Sequence, residues 1–302
     1  MNNPLVSVIT VTRNRGNMIG RCIKSVLGQT YLNIEHIIID GASEDDTDAV
    51  VASFHDSRLK YIKLDSNWPL AKTINYGVEQ SKGQYVTFLD SDDEYLPTKV
   101  EKQLGKLSSL PEDFGMVYCW MTYYDQNTMK IDHFHKPQVR GDVSELVVEK
   151  PIVSGTPTFF FRRGAFLQNG GWKESEEIGV ISDWEMAARF CQKWKVDFVP
   201  ESLINVYINH GSTRMSETKY YKGILEKEIK FEKYFLNQFS AIFSKYPSKA
   251  FQHWYVLSRA LMILGRYSEA WPYYKILLLK RHTLKDFFLF PFCLLHKMEC
   301  SC

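Results

Sequence analysis

The first hundred residues alternate between strand-like apolar runs and segments with helical periodicity. The strand-like runs are apolar throughout, whereas apolar side chains in the other segments recur every three or four positions, as on the buried face of a helix. Apolar strands joined by helices indicate a parallel sheet that helices cover on both faces. We therefore predict an α/β, Rossmann-like fold. The predicted strands cover residues 6–11, 34–39, 61–64 and 85–89.

Polar clusters lie at the ends of three of these strands. Thr10, Thr12 and Arg13 end the first strand, Asp40 ends the second, and the acidic segment 90–94 follows the fourth. Ligands of parallel sheets bind beyond the carboxyl ends of the strands, so the three clusters should lie on one rim. The acidic segment carries four carboxylates within five residues, which is costly to bury without a cation. A divalent metal that holds a phosphorylated ligand is the natural candidate.

The pattern changes along the second half of the chain. Residues 115–210 mix strand and helix signals, and a helix begins near Asp183, where a first-turn acid belongs. Beyond about residue 215 the pattern is helical. It includes one segment that resembles a helical-repeat hairpin, and a single such unit does not make a repeat array. We therefore predict a first domain over residues 1–215 and a C-terminal helical region over residues 216–302.

The helical region contains an apolar, aromatic segment, residues 287–295, with basic residues on both sides. It is much shorter than the ~20 residues of a membrane-spanning helix. Either it packs internally, or residues 280–297 make a peripheral contact with an anionic membrane. The N-terminus lacks the basic and apolar parts of a signal peptide. We expect a cytoplasmic protein, which under the second alternative lies on the inner face of the cytoplasmic membrane.

Composition narrows the classes of partner. The chain has 302 residues, 45% of them hydrophobic, and can bury a full core. A formal net charge of +2 and the lack of a basic block argue against a nucleic-acid partner. The six cysteines have no framework spacing, so we expect reduced thiols.

Five motifs occur in a fixed order along the chain. They are VSVITVTRNRG, IIIDGASEDDT, INYGVEQSKGQYVTFLDSDD, NGGW and ISDWEMAARF. In this order they resemble the family-two inverting glycosyltransferases with a GT-A fold, of the bacterial surface-glycan type. The resemblance covers roughly residues 4–215 and is specific, because five motifs agree. It implies that residues 1–215 form a GT-A domain that binds a nucleotide sugar and carries out catalysis.

The resemblance also implies a nucleotide pocket on the predicted rim. Thr10, Val11, Thr12 and Arg13 would line this pocket, and Asp40 would accept a hydrogen bond from a uracil ring. From the residues alone, Asp40 could instead cap the next turn through its side chain. The first loop has Arg13 where the family commonly has an aromatic residue, and this departure concerns the nucleobase contacts.

The same resemblance implies a metal site and a catalytic base. Asp90, Ser91 and Asp92 would form the Asp-x-Asp element, in which Asp92 binds Mn²⁺ or Mg²⁺. Asp90 would contact either the ribose or the metal through its bound water. Asp183 would be the base, and His210 belongs to a segment that often closes over the diphosphate. The alternatives are a first-turn helix acid for Asp183 and a surface-loop residue for His210.

Together these assignments imply an inverting glycosyltransferase. A sugar would move from a nucleotide-sugar donor, expected to be a UDP-sugar, to a hydroxyl of a glycan or lipid-linked acceptor in cell-surface polysaccharide biosynthesis. Two alternatives stay open: a sugar-phosphate nucleotidyltransferase and a non-catalytic protein that binds nucleotide sugars. The loop after the first strand contains a single glycine, Gly16, whereas a triphosphate-binding loop is rich in glycine. This composition disfavours the nucleotidyltransferase.

Overall fold

The computed structural model describes residues 3–175, 178, 182–209 and 221–280. Nine strands of this part of the chain form one sheet. In chain order they are β1 (Val6–Thr12), β2 (Ile34–Asp40), β3 (Leu59–Lys63), β4 (Tyr85–Phe88), β5 (Glu94–Tyr95), β6 (Phe114–Asp125), β7 (Lys130–His135), β8 (Phe160–Arg162) and β9 (Lys195–Ile208). Their order across the sheet is β3-β2-β1-β4-β8-β6-β9-β5, and β7 pairs with β6 outside this path.

The α-helices of the described residues alternate with the first strands and then dominate the C-terminal part. They are α1 (Gly16–Leu27), α2 (Thr47–Ala52), α3 (Leu70–Glu79), α4 (Lys99–Ser108), α5 (Ser144–Glu149), α6 (Arg163–Gln168), α7 (Ser182–Phe190), α8 (Tyr221–Gln238), α9 (Ser240–Lys245), α10 (Phe251–Ile263) and α11 (Tyr267–Lys280). Gly265 separates α10 from α11 with a φ of 75°, a left-handed conformation that favours glycine.

The predicted α/β fold class is confirmed, with a parallel arrangement in strands β1 to β4. β1 pairs in parallel with β2 and β4, and β2 pairs in parallel with β3. β8 runs antiparallel to β4 and β6, so the complete sheet is mixed. Six of the seven residues of β1 are buried, as expected for a strand that is covered on both faces.

Helices α1 and α3 cover opposite faces of β1. Val6 and Val8 belong to the same buried cluster as the apolar face of α1. Ile9 points to the other face, because side chains alternate along a strand, and it lies against Gly77 of α3. A Cβ atom at Gly77 would lie 2.5 Å from Ile9 Cγ2, so the close approach of α3 to the sheet requires glycine.

The chain divides into two compact units. The first comprises Met1–Ser144, Ile152–Glu174 and Met186–Ser212, and the second comprises Glu145–Pro151, Ser175–Glu185 and Thr213–Cys302. The first unit holds the sheet. The second holds the C-terminal helices together with most of α5 and the first turn of α7. The sequence-based boundary at residue 215 remains a prediction.

A buried cluster from α8, α10 and α11 forms a core of the second unit. Leu225 and Ile229 of α8 meet Leu257 and Leu261 of α10 and Tyr274 of α11 in this cluster. Among the described helices, none is both long and apolar enough to cross a membrane. The apolar segment 287–295 lies outside the described residues.

The described cysteines are free thiols. Cys22, Cys119 and Cys191 are all buried. Burial raises the pKa of each thiol, that of Cys119 to about 12, so all three stay protonated at neutral pH. None of these three residues takes part in a disulfide, and their redox state stays a prediction.

Candidate functional site

The ends of β1, β2 and β4 lie side by side at one edge of the sheet. Thr12, the last residue of β1, pairs with Asp40, the last residue of β2. The backbone N–H of Leu89 donates a 3.0 Å hydrogen bond to Ile9 O, which places the acidic segment after β4 next to the end of β1. The structure therefore brings the three polar clusters predicted from the sequence to the same rim.

Asp40 is fully buried at this rim and accepts hydrogen bonds from the protein. Its Oδ1 accepts from the Ser43 backbone N–H at 3.0 Å and from Ser43 Oγ at 2.6 Å, while its Oδ2 accepts from the Tyr61 hydroxyl. Burial and the neighbouring Asp40 carboxylate raise the pKa of Tyr61, which keeps this donor protonated. The turn-capping alternative for Asp40 is thus present in the structure. A contact with uracil stays a prediction.

The loop after β1 is tied to the loop after β2. Asn14 adopts a φ of 52°, its backbone N–H donates to Ser43 Oγ at 2.8 Å, and its Oδ1 accepts from the Glu44 N–H at 2.9 Å. The Gly16 N–H donates to Asp45 Oδ2 at 3.0 Å. Burial alone would raise the pKa of Asp45, but hydrogen bonds from Thr47 and Gly16 lower it overall. The polar loops therefore have a defined shape where a nucleotide is expected.

The residues expected to line the nucleotide pocket differ in their environments. Thr10 Oγ1 lies in the core, 3.0 Å from His36 Nε2, whereas the Arg13 side chain is exposed. Val11 is partly buried. Thr12 Oγ1 is buried and has no hydrogen-bond partner among the described residues. Buried hydroxyls normally have a partner, so Thr12 differs from the other residues predicted to line the pocket in having a buried hydroxyl with an unused hydrogen bond.

His36 is a buried titratable residue that the sequence analysis did not identify. Burial lowers its pKa to about 3, so the ring is neutral near pH 7. Ile34 and Ile38, two positions before and after His36 and therefore on the same face of the strand, are the sequence signal that places this side chain in the sheet interior.

The acidic segment after β4 forms a turn, in which the Asp93 N–H donates to Asp90 O at 3.0 Å. Asp90 is exposed, Asp92 is 9% exposed and Asp93 is 1% exposed. Asp93 Oδ1 accepts from the Tyr207 N–H at 3.2 Å, and the Tyr207 hydroxyl donates to Glu94 at 2.7 Å. Asp93 and Glu94 thus connect the turn to β9, whereas Asp90 is exposed to solvent.

Arg21 of α1 also holds this turn, and no motif of the sequence indicates that role. Its Nη2 donates to Asp92 O at 2.5 Å, and its guanidinium carbon lies 3.6 Å from the centroid of the Tyr207 ring. Burial, followed by the bond and charge of Glu94, raises the pKa of Tyr207 to about 12. A lone arginine on an amphipathic helix has no local signal for such a long-range contact.

The acidic turn suits a cation that also binds phosphate. Among the described residues, no group of three or more His, Cys, Asp or Glu side chains could hold a metal ion. Mg²⁺ typically takes one or two protein carboxylates and completes its coordination with water and substrate phosphates. The hard oxygen atoms of Asp90 and Asp92 fit that donor set.

Asp183 is the second residue of α7, in the helix's first turn. Its side chain is partly exposed, and its Oδ1 accepts a 2.7 Å hydrogen bond from the Trp184 backbone N–H. A carboxylate is favoured there by the positive end of the helix dipole. The helix-acid role is therefore present, and it is compatible with the predicted role as base. His210 lies outside the described residues.

Asn75 of α3 and Arg189 of α7 hold the NGGW turn, which begins at Asn169. The Asn75 amide accepts from the Trp172 N–H at 2.8 Å and donates to Trp172 O at 2.9 Å. Arg189 donates to the carbonyls of Asn169 and Gly171. The INYG, NGGW and ISDWEMAARF motifs therefore contact one another through residues of the first unit.

The chain belongs to glycosyl transferase family 2, because the model of that family matches residues 7–169. The uncharacterized glycosyltransferase RT0329 of Rickettsia typhi (strain ATCC VR-144 / Wilmington) is 29% identical over 221 residues, which cover 70% of this chain and 66% of the relative. WcaA of Escherichia coli (strain K12), a glycosyl transferase assigned to colanic acid biosynthesis, is 26% identical over 72% of this chain and 77% of that protein. The chain thus matches just under two thirds of the length of the first of these relatives.

Solved structures agree with the family. S. aureus TarS 1-349 in complex with UDP-GlcNAc matches with a TM-score of 0.60 at 18% identity, over 85% of this chain and 79% of that one. The mannosyltransferase PcManGT from Pyrobaculum calidifontis, in complex with GDP-Man and Mn²⁺, matches with a TM-score of 0.59 at 15% identity, over 96% and 79%. At such identities the likeness shows the fold alone. The predicted GT-A fold with added C-terminal helices is confirmed.

Proposed function

We propose that this protein is a metal-dependent, inverting glycosyltransferase that uses a nucleotide-sugar donor, with a UDP-sugar as the first candidate. The observation that carries the proposal is the shared rim, where Thr12 ends β1 and the Asp90–Asp92 turn follows the neighbouring parallel strand β4. The buried Thr12 hydroxyl has no hydrogen-bond partner among the residues that the structure describes. Such a rim is where α/β sheets bind ligands, and it lies within the region that matches the family.

The donor would bind along this rim. Thr10, Val11, Thr12 and Arg13 would contact the nucleoside, and Thr12 would supply its buried hydroxyl, which has no partner within the described part of the chain. Asp40 would contact the nucleobase, at the buried turn that its side chain caps. In PcManGT and TarS the bound molecules are nucleotide sugars, which supports this assignment without identifying the sugar.

Asp90 and Asp92 would hold a divalent metal, Mn²⁺ or Mg²⁺, together with the diphosphate. When bound, such a metal stabilises the negative charge that develops on the departing nucleoside diphosphate. Ser91 would contribute to the turn between these carboxylates, and His210 is proposed to contact the diphosphate. The Arg21 side chain, which donates a hydrogen bond to Asp92 O, would help to hold this turn.

Asp183 would act as the general base. The acceptor oxygen forms a bond to the anomeric carbon while the bond from that carbon to the diphosphate oxygen breaks, and the hydroxyl proton passes to Asp183. A single displacement, with no protein nucleophile, inverts the configuration at the anomeric carbon. Neutral Asn at position 183 could not accept the proton.

The acceptor is proposed to be a hydroxyl of a surface glycan or of its lipid-linked precursor. The name of WcaA, which refers to colanic acid biosynthesis, supports this class of product. A lipid-linked acceptor would place the protein at the inner face of the cytoplasmic membrane, with a contact through residues 280–297. A chain truncated after residue 282 should then move from the membrane fraction to the soluble fraction, and unchanged fractionation would rule out the contact.

A two-stage experiment tests the function. Nucleotide sugars are first screened by thermal shift with and without Mn²⁺, because a ligand that binds the native state raises the Tm. The best donor is then assayed for release of nucleoside diphosphate with candidate acceptors. Binding without turnover would support a non-catalytic protein, whereas pyrophosphate release from UTP and a sugar phosphate would support a nucleotidyltransferase.

A further inference from the structure

His253 of α10 is fully buried between two hydrogen-bond acceptors. Its Nδ1 is 2.6 Å from Glu232 Oε2, and its Nε2 is 2.6 Å from Val148 O. A neutral imidazole donates from only one nitrogen, so both contacts are hydrogen bonds only if the ring is doubly protonated or Glu232 carries the proton. In either case one proton is shared in the His253–Glu232 pair, and the other ring N–H is directed at Val148.

The His253 ring stacks on Trp184 of α7. The ring centroids are 5.3 Å apart with an interplanar angle of 19°. The indole Nε1 of Trp184 donates to Val147 O at 2.6 Å. Two consecutive carbonyls near the C-terminal end of α5 thus receive the two ring N–H groups. Carbonyls at such an end have no partner within their own helix, so these contacts satisfy buried acceptors.

Helix α8 completes the surroundings of Trp184. The rings of Phe231 and Phe235 lie 5.5 and 4.8 Å from the Trp184 ring, and Phe235 also lies 4.9 Å from His253. The next residue of α7, Glu185, accepts a 3.1 Å hydrogen bond from the Tyr234 hydroxyl. A backbone carbonyl of α5 and side chains from α8 and α10 therefore hold two consecutive residues of the first turn of α7.

The backbone of Trp184 connects this packing to Asp183, because its N–H donates to Asp183 Oδ1 at 2.7 Å. We propose that His253 and Trp184 form a positioning pair that holds the first turn of α7, and with it the Asp183 carboxylate. This inference rests on the proposed function, in which Asp183 is the base. It assigns the C-terminal helices a part in transfer that no motif of the sequence suggests.

Hydrogen exchange and kinetics of His253→Phe test the pair. The phenyl ring keeps most of the stacking area but leaves Glu232 and Val148 O without the imidazole that hydrogen-bonds to both of them. Leu261→Ala is the matched control, since Leu261 is fully buried in the same unit, within the cluster formed by α8, α10 and α11. His253→Gln restores one amide donor and should recover part of any loss.

We expect the amides of residues 184–190 to exchange about tenfold faster in His253→Phe than in Leu261→Ala, compared at equal global stability. Transfer should lose about tenfold in kcat, with the donor KM within about twofold of wild type, because the donor site is unchanged. Trp184→Phe combined with His253→Phe should cost little more than either change alone, since the two residues act as one pair.

Equal exchange and equal kcat in His253→Phe and Leu261→Ala would overturn the inference, because His253 would then contribute only general stability. Additive losses in the double variant would also overturn it. If the wild-type protein transfers no sugar from any donor, the proposed function fails, and the exchange comparison alone decides whether the pair holds Asp183.

Discussion

The two acidic elements of the proposed mechanism are held in place in different ways. The Asp90–Asp92 turn continues a buried strand, and backbone pairing with β1 together with Asp93, Glu94 and Arg21 holds it. Asp183 lies in the first turn of a helix, and this turn is anchored by side chains of α8 and α10 and by a backbone carbonyl of α5. The first element depends mainly on backbone pairing of a sheet, whereas the second depends on a few side chains distant in sequence. Single substitutions should therefore disturb the second element more readily.

The largest expected effect comes from removing a charge in the first element. Asp92→Asn should lower kcat/KM for transfer by about 10³-fold, because the carboxylate proposed to hold the metal becomes a weaker, neutral ligand. Steady-state kinetics at several Mn²⁺ concentrations measure this loss.

Asp93→Asn in the same turn is the control. Its side-chain oxygen can still accept the Tyr207 N–H, so transfer should stay within about threefold of wild type. Equal losses of kcat/KM in Asp92→Asn and Asp93→Asn would show that transfer depends only on the total charge of the turn. The assignment of Asp92 as the metal ligand would then fail.

A substitution in the surroundings of Trp184 should separate the two elements. Phe235→Ala removes a fully buried ring that contacts Trp184 and His253, and should cost about 3 kcal/mol of unfolding free energy. Donor binding, which depends on the sheet, should stay within about twofold. Denaturant unfolding measures the loss of stability, and a donor titration by thermal shift measures donor binding. A loss of donor affinity as large as the loss of stability would contradict the idea that the two elements are held independently.

Much of the first element follows from the sequence. The apolar runs of β1, β2 and β4 and the polar residues that follow them predict the rim, since carboxyl ends of parallel strands meet at one edge. The local pattern does not reveal that Asp93 and Glu94 bind β9, because their partner Tyr207 lies more than a hundred residues away. The role of Arg21 was not predicted either, because its partners Asp92 and Tyr207 are also distant in sequence.

The second element was predicted only as far as Asp183 itself. The ISDWEMAARF motif indicates a helix that starts with an acid, and the structure confirms this helix. The sequence shows Trp184 and His253 as two ordinary residues nearly seventy positions apart. Their stacking, and their contacts with consecutive carbonyls of α5, depend on tertiary packing that has no local periodicity.

A pH experiment probes the interior of the sheet that supports the first element. Unfolded His36 binds a proton below pH 6.5, whereas folded His36 does so only near pH 3. Between these values the unfolded state holds the extra proton, so stability falls as the pH falls. At pH 5 this group should contribute a loss of about 2 kcal/mol relative to pH 7.

Urea unfolding of the wild type and of His36→Asn, repeated from pH 7.5 to 5, isolates this contribution. The variant lacks the titrating ring, so its stability should change less over the range. Parallel curves for the two proteins would show that His36 is not the group responsible.

The smallest expected effect concerns Arg21. Arg21→Met keeps part of the packing against Tyr207 but removes the donor to Asp92 O, and should cost about 1 kcal/mol of stability. The donor KM should rise about threefold, because the turn becomes less well ordered, while kcat should change little. A change in kcat without a rise in the donor KM would show that Arg21 does not act by ordering the donor-binding turn. Lys24→Met, on the same helix, controls for the loss of a positive charge.

The central claim is that one carboxylate turn binds the donor with its metal while Asp183 takes the proton. Asp183→Asn, assayed for both donor binding and transfer with the donor found by thermal shift, tests it most directly. We predict unchanged donor binding in the presence of Mn²⁺ and a fall in transfer of about 10³-fold, since a positioned base typically contributes a factor of about 10² to 10⁴. Transfer at the wild-type rate with Asn at position 183 would contradict the account.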